Sequence, residues 1–186
     1  MPPPLLVAQG TSEMPLSGVV RYFKTDDGAV MEIWTEVEST VNLDGTAWRE
    51  VTLSELHAAG LKSPSENLNA AFAGNGIVVA ESSVLDGFTY TRYSYITCYN
   101  NPKRVVLGSV SKRPFLCPGW LRVRGISYCQ GEPYYDYLTQ WQWGWQCYVQ
   151  APPQSYPQVY FWQQKGYHWF TRGQPTTDST YAQGWF

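Results

Sequence analysis

Two histidines, His57 and His168, are the groups in this 186-residue sequence best suited to moving a proton at neutral pH, because imidazole alone ordinarily titrates in that range. General acid–base chemistry needs such a group to converge with partners in one pocket. The two are far apart in the chain, and His168 stands between Tyr167 and Trp169, where an imidazole is more often a packed, hydrogen-bonded ring than a base. Glu132 and Asp136 resemble the carboxylate pair of a glycoside hydrolase, yet that reaction depends on a defined separation across a sugar. Their position in a Tyr-rich stretch does not create one. The sequence contains no nucleophile elbow, phosphate-binding glycine loop or HisGluXxxXxxHis motif. We therefore expect a non-enzymatic protein with no catalytic residue, no cofactor and no metal centre.

Cys98, Cys117, Cys129 and Cys147 all lie in the second half and include no CysXxxXxxCys pair. Zinc sites usually present such close ligand pairs. An even number of thiols in an aromatic region suggests disulfides with the pairing left open; free buried thiols are the alternative in a reducing compartment. Binding chemistry is better represented. Across Tyr137 to Val149 every second residue is aromatic, thiol or β-branched. If that segment is one strand, Trp141, Trp143, Trp145 and Cys147 share one face, and Gln140, Gln142, Gly144 and Gln146 share the other. An open indole face would stack sugar rings, with Trp141, Trp143, Tyr148, Tyr160 and Trp162 lining the groove. A closed face would be core, which we favour because three adjacent exposed indoles invite aggregation. Burial against another subunit is a third arrangement.

The elements that position these residues are mainly β. Gly18 to Glu36 reads as a hairpin around AspAspGly, and Asn42 to Thr46 as a turn before a short strand at Trp48 to Val51. Thr52 with Glu55, and Ser63 with Pro64 and Glu66, are capping boxes that predict two short helices ended by Gly60 and Gly74. From Gly76 the period becomes two. Strands are expected at Ile77–Val84, Phe88–Tyr99, Arg104–Val110, Trp120–Tyr128, Tyr137–Val149 and Tyr156–Gln163, separated by Pro- and Gly-bearing breaks. The last stretch, Thr171 to Phe186, reads as a loop plus a terminal strand. The predicted organisation is a Pro-rich extended arm over 1–17, a hairpin with two helices over 18–75, and an antiparallel β-sandwich or barrel-like domain over 76–186.

Charge is segregated along the chain. Residues 1–87 carry twelve acids and four bases, whereas Phe88 to Gly131 carry seven bases, among them Arg104, Arg113, Arg122 and Arg124, and no acid. With a net charge of -2, such a block is expected to meet an acidic face of the same protein, within one subunit or between copies, rather than nucleic acid. Eleven of the twelve glutamines fall after residue 129, which suggests wet faces and polar interfaces. No stretch reaches the roughly 18 apolar residues of a membrane span, and the opening residues lack the features of a secretory signal. Together these features suggest a structural or interaction protein of a large assembly, such as a tailed-phage tail, collar or fibre component, assembled in the host cytoplasm into a virion. Its partners would be other subunits in a homo-oligomer, with a host-surface glycan as the alternative ligand.

Overall fold

The computed structural model describes residues 17–43, 47–115, 117–170 and 178–186. The arm expected over 1–17 lies outside them except for Ser17, and so do residues 44–46 of the expected turn. Among the described residues, thirteen strands and two helices follow in order: β1 (Gly18–Lys24), β2 (Val30–Glu36), β3 (Arg49–Val51), α1 (Leu53–Ala58), α2 (Pro64–Phe72), β4 (Gly76–Leu85), β5 (Phe88–Asn100), β6 (Lys103–Lys112), β7 (Gly119–Cys129), β8 (Glu132–Leu138), β9 (Gln142–Gly144), β10 (Gln146–Gln150), β11 (Gln154–Ser155), β12 (Phe161–Trp169) and β13 (Asp178–Trp185). Both helices begin with the capping boxes read from the sequence: Thr52 and Ser63 accept from the amides of Glu55 and Glu66, whose carboxylates accept in return.

The larger sheet runs β3-β1-β2-β10-β6-β5-β4, with β11 also on β6; the smaller runs β13-β12-β7-β8, with β9 on β7. All pairings are antiparallel. The hairpin and the later strands share one sheet, because Val30 to Trp34 of β2 pair with Gln146 to Gln150 of β10. Two connections, β4–β5 and β7–β8, are two-residue turns with both residues at positive φ: Asp86 and Gly87, and Gln130 and Gly131. That conformation matches the twist of the flanking strands.

The two sheets face one another over two apolar clusters. One joins Phe23, Met31 and Ile33 to Leu121 and Val123; the other joins Ile96, Val105 and Leu107 to Trp162 and Ala182. On the far side of the larger sheet, Leu68 and Ala71 of α2 pack against Trp34, Tyr93, Tyr95, Trp145 and Tyr148. The result is sandwich-like, with helices covering one outer face.

Three expectations need correction here. The segment Tyr137 to Val149 is not one strand: it comprises the end of β8, a break at 139–141, then β9 in the smaller sheet and β10 in the larger. Trp145 consequently leaves the face of Cys147. It packs with Tyr148 beneath the helices, while Cys147 and Val149 point between the sheets. The crossover resets the alternation at Gly144, where a Cβ would lie 2.1 Å from the Trp34 carbonyl oxygen. Of the glutamines expected to face outward here, Gln142 and Gln146 are buried and only Gln140 is exposed. The disulfides are absent as well: Cys98, Cys117, Cys129 and Cys147 are free. Cys147 lies in one apolar cluster and Cys98 and Cys129 at the rim of the other, while Cys117 sits in the loop before β7. Burial pushes the thiols of Cys98 and Cys147 up to about 12, which keeps them protonated and poorly nucleophilic.

Candidate binding face

The outer face of the smaller sheet carries the densest set of accessible recognition side chains. Burial along β12 alternates strictly, so Trp162, Gln164, Gly166 and His168 point inward, and Phe161, Gln163, Lys165, Tyr167 and Trp169 point outward. Cross-strand register then builds a grid: Trp169 stands opposite Arg122, Tyr167 opposite Arg124, Gln163 opposite Gln183, and Phe161 opposite Trp185. The Arg122 guanidinium carbon lies 5.6 Å from the ring centroids of both Trp141 and Trp169, and its Nε donates to the Thr139 carbonyl at 2.9 Å. Arg124 forms a forked pair with Asp136 at 2.9 and 2.7 Å and lies 5.9 Å from the Tyr167 ring, which Lys165 approaches from 5.0 Å. At the other end Phe161 and Trp185 lie 5.1 Å apart, and Gln163 donates to the Tyr181 hydroxyl. Trp185 is 66% exposed and Tyr181 41%.

Of the residues singled out from the sequence, this face gathers Trp141, Arg122 and Arg124. Trp143 is half-buried with its ring edge against Trp120, centroids 5.4 Å apart. Trp162 and Tyr148 do not belong: each is almost completely buried. Trp162 is enclosed by Tyr134, Tyr156 and Tyr160, and the Tyr148 hydroxyl donates to Gln146. Tyr160 is thereby a packing residue. The basic block disperses. Arg92 turns inward to Glu81 and Asp178 at 3.2 and 3.4 Å. Arg113 braces the loop before β7, donating to the carbonyls of Cys117, Trp120 and Phe170, and Arg104 lies beside α1, donating to Gly60. The outward set on β12 and β13 had gone unrecognised, although Phe-x-Gln-x-Lys-x-Tyr-x-Trp in 161–169 is a period-two signal that would have revealed it.

Between the sheets lies a second, closed arrangement that the sequence reading also missed. Ser94 of β5, Ser109 and Ser111 of β6, Ser127 of β7, Gln164 and His168 of β12 and Thr180 of β13 are all essentially inaccessible to solvent. Their proton directions follow from one end to the other. Ser111 Oγ donates to the Arg122 carbonyl at 3.0 Å, so it accepts from His168 Nδ1 at 3.1 Å. His168 Nε2 is then bare and accepts from Thr180 Oγ1 at 2.8 Å. Thr180 accepts from Ser94 at 2.7 Å, Ser94 from Ser109 at 3.0 Å, and Ser109 from Gln164 Nε2 at 2.8 Å. Ser127 donates to Gln164 Oε1. Burial, and secondarily the Arg92 charge, lower the His168 pKa to about 3, partly offset by a hydrogen bond to the Val110 backbone. The ring is thus neutral and joins the two sheets.

No family model, curated protein or solved structure matches this chain. What the site can do therefore rests on its own geometry. Among the described residues no group of three or more His, Cys, Asp or Glu side chains could hold a metal, and no helix is long and apolar enough to cross a membrane. The outer face offers flat rings, neutral amides and fixed cations, a combination suited to stacking and hydrogen bonding with a partner surface.

Proposed function

We propose that this chain is a non-enzymatic interaction subunit of a large assembly, and that the outer face of its smaller sheet docks onto a neighbouring copy. The setting expected from the sequence, a virion component such as a tailed-phage tail, collar or fibre, is the same reading on a larger scale. The observation that carries it is the asymmetry of the two outer faces: helices cover the larger sheet, whereas the smaller presents Trp141, Trp169, Tyr181 and Trp185 with Arg122, Arg124 and Lys165, of which Arg124 is paired with Asp136. Its charge complements the acidic first half, where Asp26, Asp27 and Glu38 are exposed on the β1–β2 hairpin and just beyond β2. A face that fits a different patch of the next copy makes a head-to-tail contact, which builds rings or filaments. Light scattering after size exclusion, at low and high salt, tests this. Oligomers that shrink with salt, and shrink further in a Tyr181→Ser/Trp185→Ser variant, are expected. A strict monomer at every concentration and salt would refute the proposal.

A second reading, a glycan-binding module, is favoured by one feature: Gln163 and Gln183 sit opposite each other between Tyr181 and the Phe161–Trp185 pair, placing neutral hydrogen-bonding groups beside accessible rings. A glycan array with Trp141→Ala, Trp143→Ala and Trp185→Ala variants decides it. Sugar binding lost without unfolding supports the module; no glycan bound by the wild type excludes it.

A further inference from the structure

We propose an oxyanion-binding cleft, suited to a phosphate group, between the end of α1 and β6, remote from the docking face and independent of it. The cleft has a volume of about 360 Å³ and is lined by His57, Gly60, Leu61, Lys62, Glu66 and Arg104. Two cations share it. The Lys62 Nζ lies 4.7 Å, and the Arg104 guanidinium carbon 5.7 Å, from the centroid of the same ring, Tyr99. Each is attracted to the ring, a bound anion would relieve the repulsion between them, and neither cation forms an ion pair among the described residues.

The carboxylate among the lining residues is already committed. Glu66 lines the cleft, but its Oε2 accepts from the Ser63 amide at 2.7 Å, and both of its oxygens lie 3.0 Å from His57 Nε2. It thus completes the α2 cap and holds the histidine, leaving Lys62 and Arg104 to an external anion. The Arg104 side chain is aimed by its donation to the Gly60 carbonyl at 3.1 Å, while its buried Nε has no acceptor. The guanidinium as a whole is engaged by no carboxylate among the described residues, which leaves its charge to a bound oxyanion. Lys62 is held as well: its carbonyl accepts from Gln150 Nε2 at 3.4 Å and Asn67 Nδ2 at 3.5 Å. A cavity of this volume exceeds one phosphate, leaving room for whatever the phosphate is attached to. A guanidinium and an ammonium together are a common donor set for that charge.

The test titrates the full chain with inorganic phosphate, followed by amide chemical shifts at Gly60, Leu61 and Lys62, with sodium chloride at matched ionic strength as a parallel arm. Saturable shifts specific to phosphate are expected. Arg104→Gln and Lys62→Gln should each weaken binding about tenfold, and the double variant should abolish it. Lys62 is exposed, so Lys62→Gln should leave the melting temperature without phosphate nearly unchanged, which separates lost binding from lost folding. Shifts reproduced by chloride, shifts retained in the double variant, or no response to phosphate would each overturn the proposal.

Discussion

Replacing His168 by glutamine should flatten the acid sensitivity of this fold, and the size of the effect follows from the buried chain between the sheets. Every proton in that chain is committed: Thr180 Oγ1 donates into His168 Nε2, and Nδ1 donates to Ser111. A second proton on the ring would confront the Thr180 hydroxyl, and it would be added beside Arg92, which faces the site from β5 with its partners Glu81 on β4 and Asp178 on β13. The folded pKa is about 3, against an ordinary 6.5. Above 6.5 neither state holds the proton, and the contribution of His168 is fully present. As pH falls below 6.5 the unfolded chain takes up a proton that the folded chain refuses, so stability drops by about 1.4 kcal/mol per pH unit until about pH 3. Between neutrality and about pH 4.5 the loss is about 2–3 kcal/mol. Glu32 acts in the opposite sense, since burial raises its pKa and its folded form therefore gains stability on acidification. Only a difference between variants isolates the histidine. Urea unfolding of wild type and His168→Gln at about pH 7.5 and 4.5 measures it. The variant should be less stable at the higher pH by about 1–3 kcal/mol, through its imperfect replacement of the hydrogen bonds, yet lose about 2–3 kcal/mol less on acidification. Equal pH dependence in the two proteins would refute the neutral, sealed imidazole.

Three further outcomes follow from the packing. Leu68→Ala should cost about 2–5 kcal/mol in chemical denaturation, because Leu68 is fully enclosed between α2 and the aromatic face of the larger sheet. Gly144→Ala should destabilise more than an ordinary strand substitution, by at least about 2 kcal/mol, since its Cβ would collide with backbone at Trp34 that is itself hydrogen-bonded to Trp145; denaturation midpoints check it. Cys98 and Cys147 should stay unmodified by a thiol reagent at about pH 8 in the folded protein and react after unfolding, with mass spectrometry locating the labels, because burial holds both thiols protonated.

What was legible in the sequence is what depends on neighbours along the chain. The capping boxes at Thr52 and Ser63, the β1–β2 hairpin and the alternation of β5 are local signals, and each corresponds to an observed element. What escaped depends on which sheet a residue joins. Trp141 to Val149 keeps an unbroken period of two, so nothing local marks the crossover; it is imposed by the close approach of Gly144 to Trp34, 110 positions earlier. Glutamine misled for a related reason. Its amide suits a wet interface, but it equally suits a buried site that offers one donor and one acceptor, as Ser109 and Ser127 do for Gln164. The candidate face is half legible: Trp141, Arg122 and Arg124 stand out in the sequence, yet only the β12–β13 register brings Gln163, Tyr181 and Trp185 onto the same face.

That register links the buried chain to the exposed face. In β12 the inward residues Gln164 and His168 each have partners in both sheets, whereas the outward residues Lys165, Tyr167 and Trp169 make the stacking grid. A one-residue slip of β12 would exchange the two sets, carrying a lysine between the sheets and taking Gln164 away from Ser109 and Ser127 and His168 away from Ser111 and Thr180. Apolar contacts alone discriminate weakly against such a slip here, because Phe161, Tyr167 and Trp169 could also fill space. Unsatisfied hydroxyls would not forgive it, each costing about 1–3 kcal/mol. The polar band between two apolar clusters is thus a register lock, and it holds the rings, amides and cations of the outer face in a single arrangement.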